Sequence, residues 1–170
     1  ANFRWNKGAS PTEVQAVLDL ALANARDSRA PMLVATAQAQ LARHLWRTGG
    51  DYDRAWTLAR GAEAEAFPDG PYQLRLLVLH VLGGLAGLTA RPEEELDLRR
   101  RMVSLAAAEG DAYVEATSRL NVAQRYLAEP DDAPAGAAEA EARLALAAAE
   151  RAGNAYSVAG AHCTLGRALG

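Results

Sequence analysis

Hydrophobic and polar positions divide this chain into eight blocks of about 15 to 20 residues, separated by residues that favour turns. No stretch alternates between hydrophobic and polar residues with a period of two for long enough to predict a β-strand. Glycine, proline and aspartate stand between the blocks, where they end helices or start turns. The pattern predicts eight α-helices, over residues 10–27, 31–48, 51–67, 72–89, 92–110, 111–129, 135–153 and 154–170.

The clearest helix start is at Ser10-Pro11-Thr12-Glu13. Serine caps the helix, proline suits its first turn, and the glutamate three residues after the serine completes a capping box. We therefore expect the first helix to begin here, after a disordered or linker lead over residues 1–9. Residues 10–170 are predicted to form a single helical domain, which belongs to a longer protein.

Composition supports a helical fold. Of the 170 residues, 40 are alanine and 23 are leucine, both strong helix formers. The net charge of -3 argues against direct nucleic-acid binding, which requires clustered positive charge. The basic run Arg99–Arg101 follows several acidic residues in one block, so pairs three to four residues apart explain it. The most hydrophobic stretch, 74–88, contains Arg75 and His80 and is too short to span a membrane.

Short motifs recur in every second block. Each consists of an aliphatic residue, a small residue directly after it, and a large or aliphatic residue or an alanine three positions later. Successive motifs are 41, 40 and 43 residues apart. A small residue at this place lets neighbouring helices approach closely. The motifs are Leu41-Ala42 with Leu45, Leu82-Gly83 with Ala86, Val122-Ala123 with Tyr126, and Leu165-Gly166 with Leu169.

The stretch from Gly50 to Ala55, followed by Ala59, Ala62 and Pro68, resembles the turn and second helix of a tetratricopeptide repeat. The period near 40 is similar to that of degenerate repeats in large bacterial regulators and in kinesin light chains. This resemblance implies an all-α, right-handed superhelix of antiparallel helix pairs that binds a peptide or protein partner in its concave groove. It also implies a regulatory or sensory segment of a larger bacterial signalling protein.

In this register the first block is the second helix of a preceding pair, and the last block is the first helix of a following pair. Both ends are then expected to expose apolar side chains, at the far end those of Val158, Leu165 and Leu169. Self-association through these ends is the expected consequence. A self-associating structural scaffold without a regulated ligand is therefore the alternative function.

The register also predicts which residues face the concave groove. Polar and basic side chains would donate hydrogen bonds to a peptide backbone or a carboxylate, and leucine and valine would add an apolar patch. An ordinary solvated side chain is the alternative at each position. The predicted partner-binding residues are Gln40, Arg43, Trp46, Arg47, Leu77, His80, Asn121, Gln124 and Arg167, and Thr36, Val81, Thr117 and Thr164 are expected to accompany them. No lysines stand where chaperone-binding relatives have their carboxylate clamp, which argues against a chaperone tail as ligand.

Other chemistry has little support in the sequence. The cluster Gly83, Gly84 and Gly87 is not a phosphate-binding motif and is explained by close helix packing. The three histidines have no second ligating residue at helical spacing, and Cys163 is the single cysteine, so we expect no metal and no cofactor. No nucleophile or phosphate-binding signature occurs, which disfavours an enzyme. The cytoplasm is the default location.

Overall fold

The computed structural model of the protein describes residues 9–131 and 133–170. Within these residues the chain forms eight α-helices and no β-strand, so the all-α prediction is confirmed. All helix bounds agree with the predicted ones to within about two residues. The predicted lead over residues 1–9 lies outside the described residues up to residue 8. The helices are α1 (Pro11–Asp27), α2 (Pro31–Thr48), α3 (Tyr52–Ala66), α4 (Tyr72–Leu88), α5 (Pro92–Ala108), α6 (Ala112–Ala128), α7 (Ala137–Arg151) and α8 (Ala155–Leu169).

Local sequence signals set where these helices begin. The Ser10 hydroxyl accepts the Glu13 amide at 3.3 Å, and the Glu13 carboxylate accepts the Ser10 amide at 2.7 Å. The predicted capping box at α1 is thereby confirmed. Asp51, Asp111 and Asn154 cap α3, α6 and α8 in the same way through side-chain oxygens. Each cap satisfies a backbone amide that the helix itself leaves without a partner.

The helices group into two compact units, a first unit that ends at Thr89 and a second that begins at Ala90. In the first unit each helix packs against the next, and α2 also packs against α4. Leucines such as Leu41, Leu79 and Leu82 are fully buried. His44 is buried too, and its Nε2 lies 2.9 Å from the carbonyl oxygen of Pro11. Because a carbonyl can only accept, Nε2 donates here and ties α2 to the start of α1.

In the second unit the same order holds, and α6 also packs against α8. Its core contains many alanines, among them Ala116, Ala148 and Ala149, against which Val158 packs. Such small side chains allow close approach of helix axes. Packing of each helix on its neighbour in sequence, which both units have, is typical of helical-repeat proteins. Among the described residues, no helix is long and apolar enough to cross a membrane.

Ion pairs reinforce the second unit. The Arg119 guanidinium lies 3.0 Å from the carboxylates of both Glu115 and Glu141, and Arg151 reaches Glu115 at 2.8 Å. These contacts join α6 to α7. On α5, Arg99 lies 3.5 Å from Glu95, one turn earlier. That pair confirms for Arg99 the prediction that acidic residues of the same helix partner the basic run, whereas Arg100 donates to the Tyr126 hydroxyl of α6.

Candidate functional site

Six of the nine predicted partner-binding residues belong to the first unit. Gln40, Arg43 and Trp46 of α2 are half-buried and Arg47 is exposed, while on α4 Leu77 is half-buried and His80 is exposed. Residues three to four apart lie on the same side of a helix, which holds for positions 40, 43 and 47 and for positions 77 and 80. The helices α2 and α4 pack against each other, and we name the accessible side that carries these six residues the α2/α4 face.

Trp46 of α2 contacts α4 within this face. Its ring centroid lies 5.2 Å from that of His80 in an edge-to-face arrangement, with an interplanar angle of 75°. The indole also covers Gly84 of α4, where an added Cβ would lie 2.2 Å from Cζ2. Gly84 is therefore required because the tryptophan occupies the space of a side chain. The predicted explanation of this glycine by close helix packing is confirmed.

Two arginines on the face are separated by one turn of α2. Partial burial lowers the pKa of Arg43, and the nearby charge of Arg47 lowers it further. Within the described part of the chain, neither arginine has a carboxylate partner. Neither α2 nor α4 contains an aspartate or a glutamate. The α2/α4 face is therefore positively charged, and no acidic residue on its own helices neutralises it.

The arginines of α3 have a different environment. Arg54 forms an ion pair with Asp19 of α1, and Arg60 pairs with Glu63 at 2.6 Å. The Arg60 guanidinium also lies over the ring of Trp56, 4.8 Å from its centroid. Trp56 is thus engaged within α3.

The three remaining predicted residues belong to the second unit. Asn121 and Gln124 are exposed one turn apart on α6, and Arg167 is exposed on α8, which packs against α6. Their exposure allows contact with a partner. None of these three side chains is aromatic, so they provide no equivalent of the Trp46 indole.

The prediction is wrong for two residues that were expected to accompany the partner-binding residues in the groove. Val81 is fully buried, so it cannot add to an apolar patch with Leu77. Thr164 is also buried, and its hydroxyl donates to the Gly160 carbonyl oxygen at 3.0 Å. Val81 is misplaced because it points about 100° away from its exposed neighbour His80. Thr164 is misplaced because it continues the buried stripe of Ser157 and Ala161 at helical spacing. Thr36 and Thr117 remain accessible but donate their hydroxyl hydrogen bonds within their own helices.

The residue that the sequence analysis missed as part of the site is Gly84. The pair Gly83-Gly84 within a hydrophobic helix was the available signal, but its partner, Trp46, lies on another helix 38 positions away in the sequence. The described residues contain no group of three or more His, Cys, Asp or Glu side chains that could hold a metal ion.

No protein-family model and no curated protein sequence matches this chain. Its fold is similar to that in the crystal structure of BtubC (BKLC) from P. vanneervenii, with a TM-score of 0.71 and 19% sequence identity. The match covers 94% of this chain and 66% of that chain. The chain therefore spans about two thirds of the length of the protein it matches. At this identity the likeness shows the fold alone.

Proposed function

We propose that this protein is a tetratricopeptide-like binding module that recognises a peptide or protein segment through the α2/α4 face. It would act in the cytoplasm as the regulatory or sensory segment of a larger bacterial signalling protein. The observation that carries this proposal is the arrangement around Trp46. A half-buried indole, positioned by Gly84 and His80, stands beside two arginines that lack carboxylate partners. Tryptophan and arginine are the residues that most often dominate binding energy at protein interfaces.

The helical-repeat fold supports the same function. Helical-repeat proteins stack similar units and present extended surfaces that bind partners. An indole that is already ordered loses little conformational freedom when a ligand binds. Trp46 packs against Gly84 and His80 of α4, so its indole is already ordered. It can therefore contribute contact area to a ligand without a large entropic cost.

A binding screen tests the proposal. An array of random dodecapeptides is incubated with the wild-type chain, with Trp46→Ala and with the control Trp56→Ala. We expect a set of peptides that bind the wild type and Trp56→Ala but lose at least about tenfold in affinity for Trp46→Ala, as for an interface hot spot. The variant His80→Ala should weaken the same peptides without unfolding the chain, because His80 is exposed.

Two outcomes would overturn the proposal. Either no peptide binds, or binding is equally strong after Trp46→Ala and His80→Ala. Circular dichroism of each variant separates a lost contact from lost folding. A bound set that depends on Trp56 and not on Trp46 would place the binding surface on α3 instead.

A self-associating scaffold remains the second candidate, favoured by exposed apolar side chains. On α8 Tyr156 is 89% exposed and Leu169 is 62% exposed, and on α1 Val17 and Leu20 are exposed as well. Light scattering over a range of concentrations would reveal assembly, and Leu169→Glu should abolish it. A strict monomer at high concentration would exclude the scaffold and leave peptide binding unaffected.

A further inference from the structure

Charge is distributed unequally among the helices of the first unit. Its helical carboxylates all lie on α1 and α3, whereas α2 and α4 have none. The carboxylates Asp19 and Glu63 are already paired with arginines of α3. Arg43 and Arg47 of α2, in contrast, lie on a face whose own helices offer no anion. A ligand that brings carboxylates to this face would supply the missing partners.

Burial makes the missing anion energetically relevant. Removing part of the water around the Arg43 guanidinium disfavours its charged form, and the repulsion from Arg47 adds to that cost. A carboxylate placed between the two cations would relieve both effects, and an arginine can bind it through two parallel hydrogen bonds.

The spacing of the two arginines limits the shape of the ligand. Residues four apart on a helix are separated by about 6 Å along its axis. Side chains two apart on an extended peptide are separated by about 6.6 Å and point to the same side. An extended segment that runs along α2 can therefore present alternate carboxylates to Arg43 and Arg47.

We infer that the ligand of the α2/α4 face is an extended acidic segment of a partner protein, in which carboxylates two residues apart contact Arg43 and Arg47. This inference rests on the proposed function and names the chemistry of the partner. A nucleic acid is less compatible, because the chain carries a net charge of -3 and the neighbouring helices α1 and α3 are acidic. Nucleic-acid binding requires positive charge along a longer surface.

The test uses two labelled dodecapeptides with the full chain. One alternates glutamate and serine, and the other alternates glutamine and serine as its uncharged match. Binding of both peptides is measured by fluorescence anisotropy at about 50 mM and about 200 mM salt. At the lower salt the glutamate peptide should bind at least about tenfold more tightly than the glutamine peptide, and at the higher salt this difference should be smaller.

Substitutions assign the effect to the two arginines. Arg43→Gln and Arg47→Gln should each weaken the glutamate peptide by about five- to tenfold, as expected for a charge-assisted hydrogen bond. Arg26→Gln is the matched control, since Arg26 is an exposed arginine of α1 in the same unit. It should change the affinity by less than about twofold. The melting temperature of Arg43→Gln should not fall, because this substitution removes a partly buried cation that has no anionic partner.

Three results would overturn the inference. The glutamine peptide could bind as tightly as the glutamate peptide, Arg26→Gln could weaken binding as much as Arg43→Gln, or a single-stranded oligonucleotide of equal charge could bind more tightly through the same arginines. Failure of the acidic-ligand inference can be distinguished from failure of the proposed binding function. Random peptides that depend on Trp46 but show no excess of acidic residues would refute the acidic ligand and leave the binding function in place.

Discussion

The most informative single contact in this protein is that between the Trp46 indole and Gly84. A glycine within a helix costs about 1 kcal/mol relative to alanine, so a helix retains it only for a reason. Here the reason is visible, because Cε2 and Cζ2 of the indole lie where a side chain at position 84 would be. The same indole also lies edge-to-face against His80.

Two glycine substitutions should therefore have effects of opposite sign. Gly84→Ala forces the indole to move, and overpacking of this kind costs about 1–3 kcal/mol, which exceeds the gain in helix propensity. Gly166 of α8 has no atom within 4 Å of an added Cβ, so Gly166→Ala should stabilise the protein by up to about 1 kcal/mol. Chemical denaturation measures the free energy of unfolding of both variants. Stabilisation by Gly84→Ala would contradict the described position of Trp46.

At the residue scale the sequence identified accessible positions better than neighbouring buried ones. His80 was correctly expected at the surface, but Val81 beside it is buried. The spacing of residues in the sequence shows which of them share one side of a helix. How many positions of that side are buried depends on which helices pack against it. The helix α4 packs against both α2 and α3, and no local pattern in α4 identifies these neighbours.

Helix boundaries were predictable because their causes are local. A cap, a proline in the first turn or a glycine after the last turn acts over three or four residues, and each can be recognised without knowledge of the fold. Gly49, with a φ of 68°, ends α2 in the left-handed conformation that glycine adopts readily. What the local signals do not contain is the pairing of α2 with α4, which creates the α2/α4 face.

The capping box of α1 should respond to acid. Hydrogen bonds from the backbone and then the side chain of Ser10 lower the pKa of Glu13 from its ordinary value of 4.5. A lowered pKa means that this contribution to stability is present above the unfolded pKa and is lost as the pH falls through the folded pKa. An NMR titration of the Glu13 carboxyl group should therefore give a midpoint below 4.5 in the wild type.

The variant Ser10→Ala serves as the control for this titration. It removes the hydroxyl but keeps the backbone amide, so the pKa of Glu13 should rise only part of the way toward its ordinary value. Loss of the cap should also destabilise α1 by about 1 kcal/mol at neutral pH. An unchanged midpoint and unchanged stability in Ser10→Ala would mean that the box does not form in solution.

For the whole molecule, the fold and the proposed function rest on different observations. Alanine and leucine content, turn residues and a period near 40 predict a helical repeat, and the eight helices agree with it. The likeness to BtubC at 19% identity extends over 94% of the chain but concerns the backbone. Function depends on a few surface residues that such a likeness does not fix, and in the proposed function they are the arginines and the tryptophan of the α2/α4 face.

The proposed function and the inferred ligand together place Trp46 in a binding surface for acidic segments. The most direct measurement is the indole N–H resonance of Trp46 during titration with the glutamate–serine dodecapeptide, with Trp56 as internal control. We predict that the Trp46 resonance shifts and saturates while that of Trp56, held against Arg60, stays in place. No shift at Trp46, or equal shifts at both tryptophans, would contradict the account.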